Sequence, residues 1–117
     1  MAGQIPVFNG DLAMSSNTMD HSTTITSAVV HLLTGARCSI QLAWTGTPTG
    51  NFTVQLSNDE SSAPTTWTTM TGSTQAAGGA AGNHIYDIET GARRARISYT
   101  STGSTGTITL CRATVKG

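Results

Sequence analysis

Apolar and polar residues alternate with a period of two along much of this chain. In the segment 38–45, Ile40, Leu42 and their apolar neighbours alternate with short polar residues, and the segment 51–57 repeats the pattern. A period of two is typical of a strand with one buried face. The five residues between these segments, 46–50, are turn formers, so we predict a β-hairpin across them.

Further strands are expected where the alternation returns, and turn residues separate them. The break near Ser27-Ala28 predicts a bend, and a change of phase at Leu110-Cys111 predicts a bulge. The segment 72–83 has neither periodicity nor bulk and predicts a mobile surface loop. The further strands are predicted at 23–33, near 67–70, and at 84–88, 93–100 and 107–115.

The spacing of these elements predicts the fold class. Seven or eight short strands with a turn roughly every 8–12 residues are typical of an all-β antiparallel sandwich or jelly roll. The composition agrees, because Thr, Val and Ile favour strands, whereas strong helix formers are scarce. The predicted core consists of Ile25, Val29, Ile40, Leu42, Trp44, Phe52, Val54, Leu56, Trp67, Ile85, Ile97, Tyr99, Ile108 and Leu110.

Residues 1–20 are predicted to form an N-terminal arm, with the sandwich domain at 21–117. Pro6 restricts its neighbourhood to a sheet edge or a bulge, and Asn9-Gly10-Asp11 predicts a turn. The rest of the arm carries Leu and Met among small polar residues. Two interpretations stay open: the arm docks on a partner, or it covers the open edge of its own domain.

Length and charge narrow the classes of protein to consider. The 117 residues make one domain, and the six basic and six acidic side chains cancel. This balance argues against a nucleic-acid-binding protein. Solubility instead comes from hydroxyl groups, since the chain has 22 Thr and 12 Ser. The sequence predicts no secretory signal and no membrane insertion, and hence synthesis in the cytoplasm.

Catalytic chemistry is not predicted, and neither is a cofactor or a metal site. His31 lies among apolar residues and is interpreted as structural, while period two places His84 and Asp87 on opposite faces of a strand. None of the common hydrolase, phosphate-binding or calcium-binding motifs is present. Cys38 and Cys111 both lie in predicted strands, which favours buried thiols over a disulfide.

The run Arg93-Arg94-Ala95-Arg96 concentrates three of the six positive charges. Alternation places Arg94 and Arg96 on the outward face of their strand. Two interpretations stay open. Either these side chains pair with Asp87 and Glu89 on a neighbouring strand, or they bind an acidic partner surface, for which planar guanidinium groups are well suited.

One stretch resembles a group of known proteins. It reads SIQLAWTGTPTGNFTVQLSND over residues 39–59, and WT at 67–68, ARISYT at 95–100 and GTI at 106–108 follow it. Over about residues 23–115 the chain is similar to small β-sandwich proteins of tailed-bacteriophage virions. The order of strand, SND loop, Trp strand and Arg-containing return strand also resembles discoidin-like carbohydrate-binding sandwiches.

The first resemblance implies a structural virion protein, and we expect a capsid decoration protein, or head cement, that binds the major capsid protein of the assembled shell. A homo-oligomer such as a trimer fits a lattice with threefold sites. A tail or fibre module is the alternative location, and a glycan-binding adhesin for the host surface is the alternative activity. The latter would use Trp67, Tyr86, Asn58, Asp59 and Asn83. The residues expected to bind the shell are Ile5, Val7, Phe8, Leu12, Met14, Met19, Arg94 and Arg96.

Overall fold

The alternating segments form strands, and the strands build two antiparallel sheets. The computed structural model describes residues 6–20, 24–32, 37–61 and 63–116. None of these residues belongs to a helix of the length and apolarity that a membrane crossing requires. The fold is thus the all-β antiparallel sandwich predicted above. Its strands within the described residues are β1 (Pro6–Asp11), β2 (Ile25–Thr26), β3 (Val30–His31), β4 (Arg37–Gly46), β5 (Asn51–Ser57), β6 (Thr68–Thr69), β7 (Gln75–Ala76), β8 (Gly82–Ile88), β9 (Arg94–Thr100) and β10 (Gly106–Lys116).

The two layers differ in regularity. The four-stranded sheet has the order β1-β10-β4-β8, with the two longest strands at its centre. The six-stranded sheet has the order β2-β9-β5-β6, with β3 also paired to β9 and β7 also paired to β5. Its central strands are long, while its outer strands have two residues each. Each layer therefore has a well-paired centre.

The hairpin predicted across residues 46–50 is wrong, because β4 and β5 belong to different sheets. Gly46 takes a positive φ of 87°, which favours glycine, and the following loop turns the chain from one layer into the other. Pro48 is fully buried in this crossing. Alternation shows that each strand has one buried face but does not show which strand pairs with it, and here the two buried faces meet across the interior.

Three aromatic side chains join the layers at this crossing. The ring centroids of Trp44 and Phe52 are 5.0 Å apart, and those of Phe52 and Tyr99 are 4.8 Å apart, both in tilted arrangements. The hydroxyl of Tyr99 accepts a hydrogen bond of 2.9 Å from the backbone N–H of Gly50. The indole N–H of Trp44 donates to the carbonyl oxygen of Ala80 at 2.9 Å. The stack therefore fixes the loop as well as the core.

Most of the predicted core is confirmed. Four of the predicted core residues, Val29, Leu56, Trp67 and Leu110, are instead half-buried. Ile85 is 57% exposed, because the inward positions of edge strand β8 are taken by Tyr86 and Ile88. The confirmed core residues are Ile25, Ile40, Leu42, Trp44, Phe52, Val54, Ile97, Tyr99 and Ile108.

The turn predicted at Asn9-Gly10-Asp11 is also wrong, because these residues continue β1 along β10. β1 is an edge strand with a register shift after Pro6, as proline at this position predicts. Residues 12–20 then bridge the two sheets, since they reach from β10 to the β2 region and return to β10. Their backbone bonds β10 through Asn17 and Met19, and it bonds the β2 region through Ser15. This N-terminal segment closes one side of the sandwich.

Two predicted irregularities are confirmed, and one predicted loop is wrong in part. β2 and β3 are separated by a break at 27–29, and the register of β10 shifts between Ile108 and Leu110. Within 72–83, however, β7 pairs with β5, and Ser73 is buried. The Ser73 hydroxyl accepts a hydrogen bond from the Val54 N–H and donates one to the Met70 carbonyl oxygen. It therefore satisfies a backbone donor of β5 in the gap between β6 and β7.

We predict that Gly50→Ala lowers the free energy of unfolding by about 1–3 kcal/mol, as overpacking of a filled core does. A Cβ at position 50 would lie 2.5 Å from the Tyr99 ring and hydroxyl and would also collide with the Thr100 carbonyl oxygen. Gly91→Ala is the matched control, because nothing lies within 4 Å of its Cβ position. Urea unfolding of both variants measures the difference, and equal stabilities would contradict the packing described here.

Candidate interaction surfaces

The first candidate surface is the β1 edge, defined here as the unpaired side of β1 together with Phe8. Among the described residues, β1 pairs only with β10. The N–H of Leu12 donates to the Cys111 carbonyl oxygen at 2.8 Å, so alternate residues back along β1 also face β10. The backbone groups of Asn9 and Asp11 consequently face away from the sheet and are open to a further strand.

Phe8 is the largest side chain on the β1 edge. It is 41% exposed, and its ring lies 3.4 Å from the position that a Gly10 Cβ would occupy. Its neighbour on β10 is Val115, which is fully buried, so Phe8 faces the rim of the interior. Of the other predicted contact residues, Val7 lies in β1, and Ile5 lies outside the described residues.

The remaining apolar residues of the predicted arm contact the chain itself. Met19 has no exposed surface and Leu12 is buried, both within the core cluster. Met14 is half-buried and forms an isolated bridge with Ser27. A sequence shows that such residues are apolar, but it does not show whether they cover a partner or their own domain.

The second candidate surface is the arginine patch, defined here as Arg94, Arg96, Trp67 and Gln55 on the outer face of the six-stranded sheet. Ala95 and the other inward residues of β9 are buried, which places the arginines outward as predicted. Pairing of these arginines with Asp87 and Glu89 is wrong. Those carboxylates lie on or just after β8, in the other sheet.

Arg96 is held from two sides. Its Nε donates to the side-chain oxygen Oε1 of Gln55 at 2.7 Å, across the pair of strands β9 and β5. Its guanidinium carbon lies 4.2 Å from the centroid of the Trp67 ring, within cation–π distance. The Trp67 indole N–H donates to the Pro64 carbonyl oxygen at 3.1 Å, which fixes the ring. Partial burial lowers the pKa of Arg96 below its usual value.

Arg94 has a different environment. Its Nη2 lies 3.3 Å from the carbonyl oxygen of Glu60, and its Nη1 lies 3.5 Å from that of Arg93. Its Nε is buried and has no hydrogen-bond partner among the described residues. The neighbouring Arg93 forms an ion pair with the Glu60 carboxylate at 3.2 Å. Arg94 is therefore engaged with backbone carbonyl oxygens of its own chain.

The other arginines have carboxylate partners. Arg37 pairs with Glu89, and Arg112 pairs with Asp11 at 3.1 Å. All these pairs are largely exposed, so each contributes at most about 1 kcal/mol to stability. They nevertheless neutralise half of the basic and half of the acidic side chains locally.

The residues predicted for glycan binding do not form one site. Tyr86 is buried, and its hydroxyl donates to the Ser73 carbonyl oxygen at 2.7 Å, so its ring is not free to stack on a sugar. Burial raises the pKa of Tyr86 to about 12. Trp67 carries Arg96 on one face, and Asn83 lies on β8 in the other sheet.

Asn58 and Asp59 do share an open pocket of about 480 Å³ at one end of the six-stranded sheet. Its other lining includes Leu56, Thr66 and Thr68. The backbone N–H groups of residues 61 and 65 donate to the Asp59 carboxylate and lower its pKa. The carboxylate therefore shapes the loop that forms the pocket wall.

Titratable groups outside these surfaces are scattered. Within the ranges that the structure describes, no group of three or more His, Cys, Asp and Glu side chains converges on a metal position. His31 is exposed on β3, and His84 lies edge-on to Tyr86 with ring centroids 4.6 Å apart.

Both cysteines are free, buried thiols, as predicted. Cys38 pairs in register with Val115, whereas Cys111 pairs with Leu42. Four positions along adjacent strands separate the two thiols by about 13 Å, too far for a disulfide. Burial raises the pKa of Cys38 to about 11 and that of Cys111 to about 12, with smaller contributions from Asp87 and Asp11 respectively.

We predict that the free energy of unfolding falls as the pH rises above about 8.5. There the thiols of the unfolded chain lose their protons, while those of the folded chain keep them until pH 11–12, so alkali favours the unfolded state. The double variant Cys38→Ala/Cys111→Ala should show a shallower decline. Urea unfolding between neutral pH and about pH 10 compares the two slopes, and identical slopes would refute this assignment.

No model of a known protein family matches this chain, and no curated protein matches it. The resemblances described above therefore depend on the residues quoted for them.

Proposed function

We propose that this chain is a structural protein of a tailed-bacteriophage virion and that it decorates the assembled capsid. The observation that carries the proposal is the placement of its two candidate surfaces. The β1 edge belongs to the four-stranded sheet, whereas the arginine patch lies on the outer face of the six-stranded sheet. A protein that joins neighbouring shell subunits needs two such contact regions on one body.

The β1 edge is suited to contact by strand addition. An extended segment of the major capsid protein pairs with the outward backbone groups of Asn9 and Asp11, and its apolar side chains meet Phe8 at the rim. Each backbone hydrogen bond formed in this way contributes about 1 kcal/mol net. The arginine patch then contacts an acidic region of a second subunit.

Decoration stabilises a shell by mass action. A ligand that binds the assembled lattice, and not the dissociated subunits, shifts the equilibrium toward assembly. At a free concentration 100 times its dissociation constant the shift is about 2.7 kcal/mol per site. Occupancy of many equivalent sites multiplies this effect over the particle.

A glycan-binding adhesin is a second candidate, and the pocket beside Asn58 and Asp59 favours it. Hydroxyl groups of Thr66 and Thr68 beside the apolar Leu56 form a wall of the kind that a saccharide contacts. A saturable glycan signal together with absence from particles would support this function over decoration.

The copy number of the chain in purified particles tests the proposal directly. Hundreds of copies would indicate the head, and a dozen or fewer would indicate a tail or fibre module. Particles lacking the chain should lose their contents at a lower temperature than particles carrying it. Equal thermal stability of the two would contradict a cementing role.

We predict that Asn9→Pro weakens binding to shells assembled from the major capsid protein alone by about tenfold or more. Proline removes the backbone N–H of residue 9, which faces away from β10, and its ring hinders the pairing of an added strand. The fold tolerates proline here because β1 is an edge strand. Asn9→Ala is the matched control, because it keeps the backbone donor and loses only a weak side-chain bond to Thr114.

Cosedimentation with the shells measures both affinities, and thermal unfolding confirms that both variants fold. Strand addition predicts a loss for Asn9→Pro alone. Equal losses for both variants would assign the contact to the Asn9 side chain, and unchanged binding of both would exclude the β1 edge as the contact.

A further inference from the structure

Arg96 differs from the other arginines of the described residues in the state of its terminal nitrogens. Arg37, Arg93 and Arg112 each pair with a carboxylate, and both terminal nitrogens of Arg94 lie near backbone carbonyl oxygens. Within the described residues, Arg96 donates a hydrogen bond through Nε and forms no ion pair. Its Nη1 and Nη2 donors are therefore free for a ligand.

The orientation of this free pair of donors is fixed before any ligand arrives. Gln55 holds Nε at 2.7 Å, and the Trp67 ring supports the guanidinium plane at 4.2 Å. A guanidinium can present a fork either through Nε and one terminal nitrogen or through both terminal nitrogens. Because Gln55 occupies Nε, the fork of Nη1 and Nη2 is the one presented.

The electrostatic environment also favours an anion. Arg96 is a partly buried cation without a counter-charge among the described residues, and its pKa is lowered by that burial. A partly desolvated charge gains more from a partner of opposite sign than a fully hydrated one does. An anion at the fork therefore compensates the hydration that the guanidinium has lost.

We propose that Arg96 binds a carboxylate of an Asp or Glu side chain on the partner protein, with Trp67 and Gln55 as positioning residues. A planar carboxylate matches a single fork with two parallel N–H···O bonds. A phosphate dianion needs further cations, and the nearest, Arg94, has its terminal nitrogens at backbone carbonyl oxygens. This assignment rests on the proposed function only in naming the shell protein as the source of the carboxylate.

The site requires an arginine rather than a positive charge alone. Lysine keeps the charge but has neither the fork nor the planar face that stacks on Trp67. Arg96→Lys should therefore weaken carboxylate binding, whereas Arg93→Lys, which lies outside the arginine patch and pairs with Glu60, should leave it unchanged. The pair of variants separates local geometry from net charge, which both preserve.

Nuclear magnetic resonance of the full chain tests this site without any shell. The resonances of the Arg96 Nε–H and the Trp67 indole N–H are followed while hexaglutamate, hexaglutamine or inorganic phosphate is added at matched ionic strength. We expect saturable shifts of both resonances with hexaglutamate in the millimolar range and none with hexaglutamine. In Arg96→Lys the Trp67 response should be lost, and in the control Arg93→Lys both responses should persist.

Three results would overturn the assignment: no response to hexaglutamate, a stronger response to phosphate, or an equal loss in both variants. Trp67→Phe and Trp67→Ala test the positioning role. Phenylalanine should retain most of the Arg96 Nε–H shift because it still offers a ring face, and alanine should abolish it. Equal shifts in the two Trp67 variants would refute the positioning role.

The particle count and this titration test separate claims, and either claim can be refuted without the other. If the chain is absent from particles but the Arg96 resonance responds to hexaglutamate as described, the carboxylate site stands and the decoration role falls. If the chain is abundant in particles and the titration gives no response, decoration stands and the Arg96 site falls.

Discussion

The structure depends on the aromatic contact that joins its two layers. Trp44 comes from one sheet, Phe52 and Tyr99 come from the other, and the Tyr99 hydroxyl also fixes the backbone where the chain passes between them. Two sheets of this kind bury apolar surface only by facing each other, and the stack lies where the chain passes from one sheet to the other. With few charged side chains and few aromatic rings in the chain, this contact supplies a large part of the specific packing.

Alternation along the chain predicted the existence of most strands and the inward face of the central ones. It placed Ile40 and Leu42 correctly because a buried face has a period that reads directly from sequence. The pairing of the strands could not be predicted in the same way. The loop at 46–50 has the residues of a hairpin turn, but whether two strands lie side by side or face to face depends on the whole sandwich. β7 was missed because its two residues, Gln75 and Ala76, are too few to show an alternating pattern.

The candidate surfaces were predictable to a similar degree. The outward direction of Arg94 and Arg96 followed from alternation, whereas their neighbours did not. Gln55 meets Arg96 because β5 pairs with β9, and Trp67 meets it because a short strand returns along β5. The sequence placed Trp67 in the core, since an apolar ring beside a strand has the same pattern whether it fills the interior or supports a guanidinium outside it. The opposite holds for Leu12 and Met19 of the arm. They were expected to contact a partner, and both side chains are buried in their own domain.

The pairing of β1 with β10 has a consequence for how the molecule forms. Asp11 and Arg112 meet across a separation of 101 positions, so β1 is synthesised well before β10 and stays uncovered until β10 follows. Long loops close slowly, and contacts of this kind form late in folding. During synthesis β1 and residues 12–20 are therefore exposed while the central strands pair. Until β1 docks, the side of β10 that it covers is vacant, and a β1 strand from a second copy would meet the same backbone groups there as the chain's own β1 does.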